Sequence, residues 1–378
     1  MAHSVSTILS TLLLTLLGYH IVSGIPIAPA ADAAAAHHHN VHQAQRNHYP
    51  STPATVRGRK TDPAEPVMNA NFADPSVFRD IDGTWYAFAT ESNGKMVQVA
   101  QAPAVLGPWH LLEEVPSPLP RGPSWSTGVF TWAPAVDRLD DGSYVMYYSA
   151  QLGGDNSHFH AIGAATAEHV LGPYKPVETP FGTTANVTAG GAIDASAFRD
   201  GYGLTDPAGR GGSGKHYVVY KVDGNSLGGG GPCGNAESPG FRTPIMLQEV
   251  SGKDGVTTIG DPVAIFDREE SEDGPLVEAP SLLRTRDGRY ILFYSSGCFN
   301  DASYRTSYAI SNHLYGPYVR TQKPMMKSKD KLGLSAPGGA AAAPDGSALV
   351  FHADCPEGRC MHVSPIDIDD DGAVTLDE

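Results

Sequence analysis

The chain has 378 residues, with 42 glycines, 30 prolines and a formal net charge of -15. An acidic surface repels nucleic acid and anionic lipid, so no nucleic-acid and no membrane partner is expected. Its apolar runs are short, rich in Val, Tyr, Phe and Ile, and bounded by Gly, Asp and Pro; this excludes a helical bundle and predicts an all-β fold.

Met1 to about Gly24 reads as a secretory signal peptide. Its apolar run, Ile8 to Leu17, falls short of the roughly 20 residues that span a bilayer, and Val22-Ser23-Gly24 offers small residues for cleavage. No later segment has the length and apolarity to cross a membrane, so the mature protein is expected to be secreted and extracellular. Residues 25–66 are rich in Ala, His, Pro and Ser and read as a disordered low-complexity leader. The run His37 to His39 reads as solvated rather than metal-binding. Arg59-Lys60 is a weak processing signal. The folded domain is expected over 67–378.

That domain repeats one pattern. At Asn71–Thr90 an X-Pro pair opens a short apolar strand, an Asp-Gly turn follows seven residues after the proline, and an aromatic strand comes next. The pattern returns at Ala133-Pro134 with Asp141-Gly142, at Ala279-Pro280 with Asp287-Gly288, and at Ala336-Pro337 with Asp345-Gly346. A looser copy begins at Asp194-Ala195. Gly107-Pro108-Trp109, Gly172-Pro173-Tyr174 and Gly316-Pro317-Tyr318 add a second marker. Five such units predict a five-bladed β-propeller, because a four-stranded unit hides its apolar faces only against neighbours in a ring. The blades are expected at about 70–112, 128–176, 190–251, 276–322 and 333–378.

The four cysteines suit an oxidising compartment. Cys355 and Cys360 flank a four-residue loop and are expected to pair, which leaves Cys233 with Cys298. That second bridge would tie the glycine-rich insertion Gly228–Gly234 of the third blade to the fourth. The glycine run lacks the Gly-Lys-Ser/Thr and the helix of a phosphate cradle. Asn186-Val187-Thr188 is a glycosylation sequon. Asp367 to Glu378 fits the spacing of an EF-hand loop, yet no helix can follow it, so a final hairpin is expected there instead.

First strands of a propeller line its axial channel, and the residues that open them converge on one rim. That slot holds Asp74, Ala133, Asp194, Ala279 and Ala336, and the fourth blade puts Glu278 one residue earlier. One acid beside a proline is an ordinary turn residue. Three acids where the repeat tolerates alanine point to a catalytic mouth. Carboxylates so placed cannot all ionise freely, and glycoside hydrolysis needs that separation: one acid protonated, one base ionised.

Ala73-Asp74-Pro75-Ser76-Val77, Trp132-Ala133-Pro134-Ala135-Val136, Ile193-Asp194-Ala195-Ser196-Ala197-Phe198 and Val277-Glu278-Ala279-Pro280-Ser281 together resemble glycoside hydrolase family 43. The resemblance implies a five-bladed propeller and an inverting enzyme on arabinose- or xylose-containing plant polysaccharide. It implies Asp74 as general base, Glu278 as general acid, and Asp194 as the group that orients Glu278 and holds its proton. Inversion implies Asp74 and Glu278 carboxyls about 6.5–9.5 Å apart. Trp132 and Phe130 are expected either to stack a sugar or to pack between blades; Phe72, Trp125, Phe299 and Arg305 are further substrate-binding candidates. Two motifs depart from the family. Ala135 stands where Trp-Ala-Pro-Asp is frequent, and Ala336-Pro337-Gly338-Gly339 lacks the histidine that holds a channel ion in many members. That departure puts a channel calcium in doubt, and no other cofactor or metal is expected. The expected activity is hydrolysis of α-L-arabinofuranosyl linkages in arabinan or arabinoxylan. A β-xylosidase, an endo-1,5-α-L-arabinanase and a non-catalytic carbohydrate-binding propeller are the alternatives.

Overall fold

The computed structural model describes residues 62–201, 213–235, 237 and 240–377. The expected signal peptide, most of the leader, His37 to His39 and Arg59-Lys60 lie outside the described residues. Among those described, the strands form five antiparallel sheets, each in chain order from the axis outward. Blade one comprises β1 (Ser76–Arg79), β2 (Trp85–Ala89), β3 (Gln98–Ala102) and β4 (His110–Leu111). Blade two has β5 (Ser126–Arg138), β6 (Tyr144–Leu152), β7 (His160–Ala167) and β8 (Lys175–Pro176). Blade three has β9 (Ala192–Arg199), β10 (His216–Val222), β11 (Ile245–Val250) and β12 (Thr258–Phe266). Blade four has β13 (Val277–Arg284), β14 (Tyr290–Ser296), β15 (Arg305–Ser311), β16 (Val319–Arg320) and β17 (Met326–Lys327), which pairs with β15. Blade five has β18 (Gly338–Ala342), β19 (Ala348–Cys355), β20 (Gly358–Ile368) and β21 (Val374–Leu376). The five-bladed propeller read from the repeat is thus the observed fold. Blade three runs past its expected end at 251, because Thr258–Phe266 forms its outermost strand.

The repeat has a backbone meaning. Asp74, Ala133, Asp194, Ala279 and Ala336 all adopt the left-handed region, at φ 53, 44, 60, 49 and 45°. A register shift follows this point in blades two to five. The kink turns the chain from the rim into the channel-lining strand. At the other end, the Asp-Gly turns put Gly83, Gly142, Gly288 and Gly346 at positive φ, where a side chain would be strained. The Gly-Pro-aromatic markers close a further shared bond. Trp109 Nε1 donates to the Val105 carbonyl, and the Tyr174 and Tyr318 hydroxyls donate to those of Val170 and Leu314.

Apolar clusters fill the seams between blades. One joins Phe78, Phe88, Met146 and Tyr148 of blades one and two; another joins Phe198, Leu247, Leu292 and Tyr318 of blades three and four. Polar latches add direction at the Asp-Gly end. The Tyr144 hydroxyl donates to Asp80 (2.8 Å), His216 Nε2 meets Asp140 (3.2 Å), and the Tyr290 hydroxyl donates to Asp200 (3.1 Å). In each, an acid just beyond one blade's first strand grips the second strand of the next blade.

Blade five is built wholly from the C-terminal part of the chain, so the ring closes without strand exchange. Instead, Val67 N–H donates to the Met361 carbonyl and Phe72 N–H to that of Arg359. Both expected disulfides form, Cys233–Cys298 and Cys355–Cys360. The stretch from Asp367 to Leu376 takes the hairpin form: β20 and β21 pair, and Asp369 Oδ1 caps their turn at Asp371 and Ala373. Asn186 of the sequon is exposed.

Candidate active site

Second strands run back toward the rim that carries the left-handed residues. Each places one buried polar side chain beside the rim: Thr90, Ser149, Lys221, Ser295 and His352. Ser149, Lys221, Ser295 and His352 stand opposite Trp132, Ile193, Glu278 and Gly338, and Thr90 bonds back to Ala73. Four of them accept an N–H from the first strand of the following blade. Thr90 Oγ1 takes Ala133 (3.0 Å), Ser149 Oγ takes Asp194 (3.0 Å), Ser295 Oγ takes Gly339 (2.9 Å) and His352 Nδ1 takes Asp74 (3.0 Å). A kinked strand opening leaves an amide without a ladder partner, and this ring of side chains supplies one.

The three acids of the sequence reading come together on this rim. Asp74 and Asp194 line one hollow at the axis with Ala133, Ala279 and Gly339. Glu278 adjoins it, buried, immediately before Ala279.

Two side chains grip the Asp74 carboxylate. Arg359 donates to both carboxylate oxygens (3.0 and 3.3 Å) and the Thr90 hydroxyl donates to Oδ2 (2.6 Å). Burial works to raise this carboxyl, but the Arg359 charge and the hydrogen bonds outweigh it and hold Asp74 below the usual carboxylate range. His352 is pushed down to about 3 by burial, then by Arg359, and is neutral; with Nδ1 accepting from Asp74, its proton sits on Nε2. Gly339 makes room for this imidazole, since a Cβ there would lie 2.7 Å from Nδ1.

Asp194 behaves oppositely. Its Oδ2 accepts the Ala279 N–H (2.9 Å), but burial, then the neighbouring Glu278 carboxylate, push it up to about 8 against the pull of Lys221. At neutral pH the Asp194–Glu278 pair therefore keeps one proton. Glu278 is held at both oxygens: the Tyr304 hydroxyl donates to Oε1 (2.8 Å) and Lys221 Nζ to Oε2 (3.1 Å). Lys221 also pairs with Asp223 (2.8 Å). Burial opposes its charge, but Asp223 and Glu278 outweigh that, and its pKa is raised.

The aromatic candidates divide. Phe130 is 47% exposed, and its N–H and that of Thr131 donate to the Glu91 carboxylate (3.1 and 3.2 Å). Trp132 is half-buried, stacked on His160 at 3.8 Å and edge-on to Phe130 at 6.4 Å. Phe299 is 45% exposed and lies 5.4 Å from the Arg359 guanidinium. Phe72 must be corrected: it is wholly buried, packed with Met68, Trp85 and Val350, and presents no face to a substrate. Trp125 is half-buried against Leu152 and Phe159. Arg305 spends its guanidinium on the carbonyls of Ser303 and Glu272.

Sequence reasoning missed Arg359, Thr90, His352, Tyr304 and Lys221. The second-strand residues did leave a trace. Tyr148-Ser149, Tyr220-Lys221, Tyr294-Ser295 and Phe351-His352 each set a polar residue directly after an aromatic one at a strand end. Arg359 left none, because it sits at a hairpin tip and its partner is 285 residues away.

A model of glycosyl hydrolases family 43 matches residues 63–374. Among curated relatives, probable arabinan endo-1,5-alpha-L-arabinosidase A of Aspergillus flavus is 35% identical over 136 residues, 35% of this chain and 39% of that protein. Extracellular endo-alpha-(1->5)-L-arabinanase 2 of Bacillus subtilis is 34% identical over 107 residues, 27% and 22% of the two chains. Beta-D-galactofuranosidase xynD of Aspergillus niger is 26% identical over 238 residues, 60% and 58%. These matches span less than two thirds of each relative's length. A solved thermostable family-43 glycoside hydrolase superposes with a TM-score of 0.62 at 24% identity, covering 81% of this chain and 93% of its own. An endo-arabinase from Bacteroides thetaiotaomicron gives 0.60 at 18%, covering 81% and 97%.

Proposed function

The chain belongs to glycosyl hydrolases family 43, and from that premise we propose that it hydrolyses α-L-arabinofuranosyl linkages of plant arabinan or arabinoxylan with inversion. The observation that carries this reading is the opposed treatment of two acids on one rim. Asp74 is held ionised by Arg359, while the Asp194–Glu278 pair retains a proton at neutral pH. That is the asymmetry an inverting glycosidase requires.

In this scheme Asp74 takes a proton from a water whose oxygen bonds to the anomeric carbon. The bond from that carbon to the leaving oxygen breaks, and Glu278 delivers the proton it shares with Asp194 to that oxygen. Asp194, close to Glu278 and hydrogen-bonded to Ala279, supports the acid. Trp132 and Phe130 are assigned to stacking sugar rings.

Attack within the polymer is a second reading of the same site. Phe130, near the start of β5, and Phe241 and Phe299, on loops of blades three and four, are each 45–47% exposed at the rim end, and the A. flavus and B. subtilis relatives carry endo-acting names. Several separated aromatic faces suit a chain better than a single sugar. Action outside the cell is part of the proposal, supported by two disulfides and by a relative described as extracellular.

The test is a panel of nitrophenyl α-L-arabinofuranoside, nitrophenyl β-D-xyloside and linear arabinan, with the product anomer read by NMR. The expected result is inverted arabinose or arabino-oligosaccharide, and a fall of at least about 100-fold in Asp74→Asn. Asparagine is chosen because it keeps a side-chain oxygen for Arg359 to donate to, which alanine does not. A wild type that binds arabinan but releases no reducing sugar would instead make this a carbohydrate-binding propeller.

A further inference from the structure

Four of the five second-strand residues at the rim serve the backbone: threonine, two serines and a neutral histidine each accept an N–H from the next blade. Blade three breaks the pattern. An ammonium has three donors and nothing to accept with. The Ala279 N–H turns to Asp194 instead, and Lys221 Nζ bridges Asp223 Oδ1 and Glu278 Oε2. Lys221 is wholly buried. Burying an ammonium costs several kcal/mol before its partners offset it, whereas a serine in this slot would hold the amide, as it does in blades two and four. The lysine answers a different need.

The charged and titratable groups that face Glu278 come from all around the rim. Asp194 stands on β9, Lys221 on β10, Asp223 just beyond it and Tyr304 ahead of β15; Asp74 and Arg359 lie across the hollow. Two of these are cations, and Arg359 is committed to Asp74 through both carboxylate oxygens. Lys221 is the cation left for the acid pair. Asp223 divides its charge and is itself bonded by the Ser226 hydroxyl (2.6 Å).

We propose that Lys221 is a positioning residue of the reaction put forward above: shared between Asp223 and Glu278, its ammonium holds the Glu278 carboxyl against Tyr304 and sets the pH at which the Asp194–Glu278 pair yields its proton. The reaction rests on the proposed function; the electrostatics stand without it.

Two substitutions of nearly unchanged shape should act with opposite sign. Lys221→Met removes the cation, so the pair keeps its proton to higher pH. Asp223→Asn leaves the whole cation to the pair, so the proton leaves at lower pH. A lysine that merely fills space predicts a shared loss of stability and no opposed shifts.

The experiment is difference infrared spectroscopy of the full protein, following the protonated carboxyl band through pH, with Asp194→Asn to assign it. The expected displacement from the wild-type midpoint is about one pH unit or more upward in Lys221→Met and downward in Asp223→Asn. The alkaline limb of kcat/KM on linear arabinan should move with the same signs. Its acid limb, assigned to Asp74, should stay. Midpoints that move less than about a third of a pH unit, or move together, overturn the proposal. If Lys221→Met does not fold, Asp223→Asn decides alone, and the absence of a downward shift overturns it. A wild type that titrates as described yet cleaves no arabinofuranoside overturns the proposed function and leaves the role of Lys221 in holding the proton standing.

Discussion

Asp194→Asn should make the protein more stable and less active, and the gain in stability should grow with pH. The ordinary value for this carboxyl is 3.8, and the fold pushes it up to about 8, by burial first and then by Glu278. Between those values the folded chain holds a proton that the unfolded chain has released. Stability then falls as pH rises, by up to about 1.36 kcal/mol per pH unit. The group's contribution is therefore intact below pH 3.8 and lost by the time pH passes about 8. The ceiling on that loss is roughly 6 kcal/mol. Asparagine keeps an oxygen for the Ala279 N–H but gives up the attraction to Lys221, so a recovery of about 2–4 kcal/mol is expected at alkaline pH. For a propeller of this size that is roughly 3–6 °C in Tm. Melting both proteins across a series from pH 4.5 to 9 should show curves that nearly coincide at the acid end and diverge toward the alkaline end. A constant gap, or a variant less stable at pH 9, would refute the assignment of the retained proton to this site.

The blade two–three latch should respond to pH through its histidine. His216 is buried; burial works to lower its pKa, but Asp137 and Asp140 outweigh it and the net shift is upward. Its contribution is therefore complete below its ordinary value of 6.5 and is lost as pH rises through the elevated folded value. His216→Gln should cost about 1.5–3 kcal/mol at pH 5.5 and less at pH 9; a Tm gap that widens with pH counts against this. At the opposite end, Phe130→Ala should raise KM for linear arabinan by about 3- to 10-fold, the worth of one aromatic contact. It should leave kcat on nitrophenyl α-L-arabinofuranoside near wild type, and equal losses on both substrates would place Phe130 outside the binding face.

What the sequence made legible is what backbone chemistry forces onto it. An Asp-Gly turn and a kinked strand opening need particular residues, so the repeat shows at Asp82-Gly83 and again at Asp287-Gly288. The three acids could be picked out because the other blades put alanine at or beside the same kink. Cysteine pairing followed from number and spacing. The grip on each acid stayed hidden for a physical reason: it comes from another blade. Nothing near Asp74 in the chain announces Arg359, and nothing near Glu278 announces Lys221. The fourth strand of blade three was misjudged because Thr258–Phe266 is largely exposed and carries Gly260, Asp261 and Pro262, the residues of a linker. Phe72 was misjudged because a lone aromatic beside an acid looks the same in sequence whether it faces a ligand or a core.

The way each acid is held bears on why such a ring can carry chemistry at all. A left-handed kink is tolerated by alanine in three blades, so the position itself asks nothing of its side chain; its amide is satisfied from the neighbouring blade. A carboxylate there is free to be shaped by whatever surrounds it. Asp74 is shaped by blade five through Arg359, with Thr90 of its own blade; Asp194 by Glu278 and the Ala279 amide of blade four; Glu278 by Lys221 of blade three and Tyr304 of its own blade. None of these environments is complete in an isolated blade, so the paired acid and base appear only when the ring is shut. The Asp74–Arg359 pair adds a second consequence. It spans the one seam that joins the two ends of the chain's ring, where no strand is exchanged and the latches of the first four blades have no counterpart among the described residues. The candidate base is thus also a clasp, and its ionised state is favoured by the same contact that closes the propeller. Asp194 stands in the opposite relation, strained by the fold that makes it useful. One rim therefore holds one acid that supports the ring and one that the ring must bear, and the difference between them is the difference in proton affinity on which inverting hydrolysis would run.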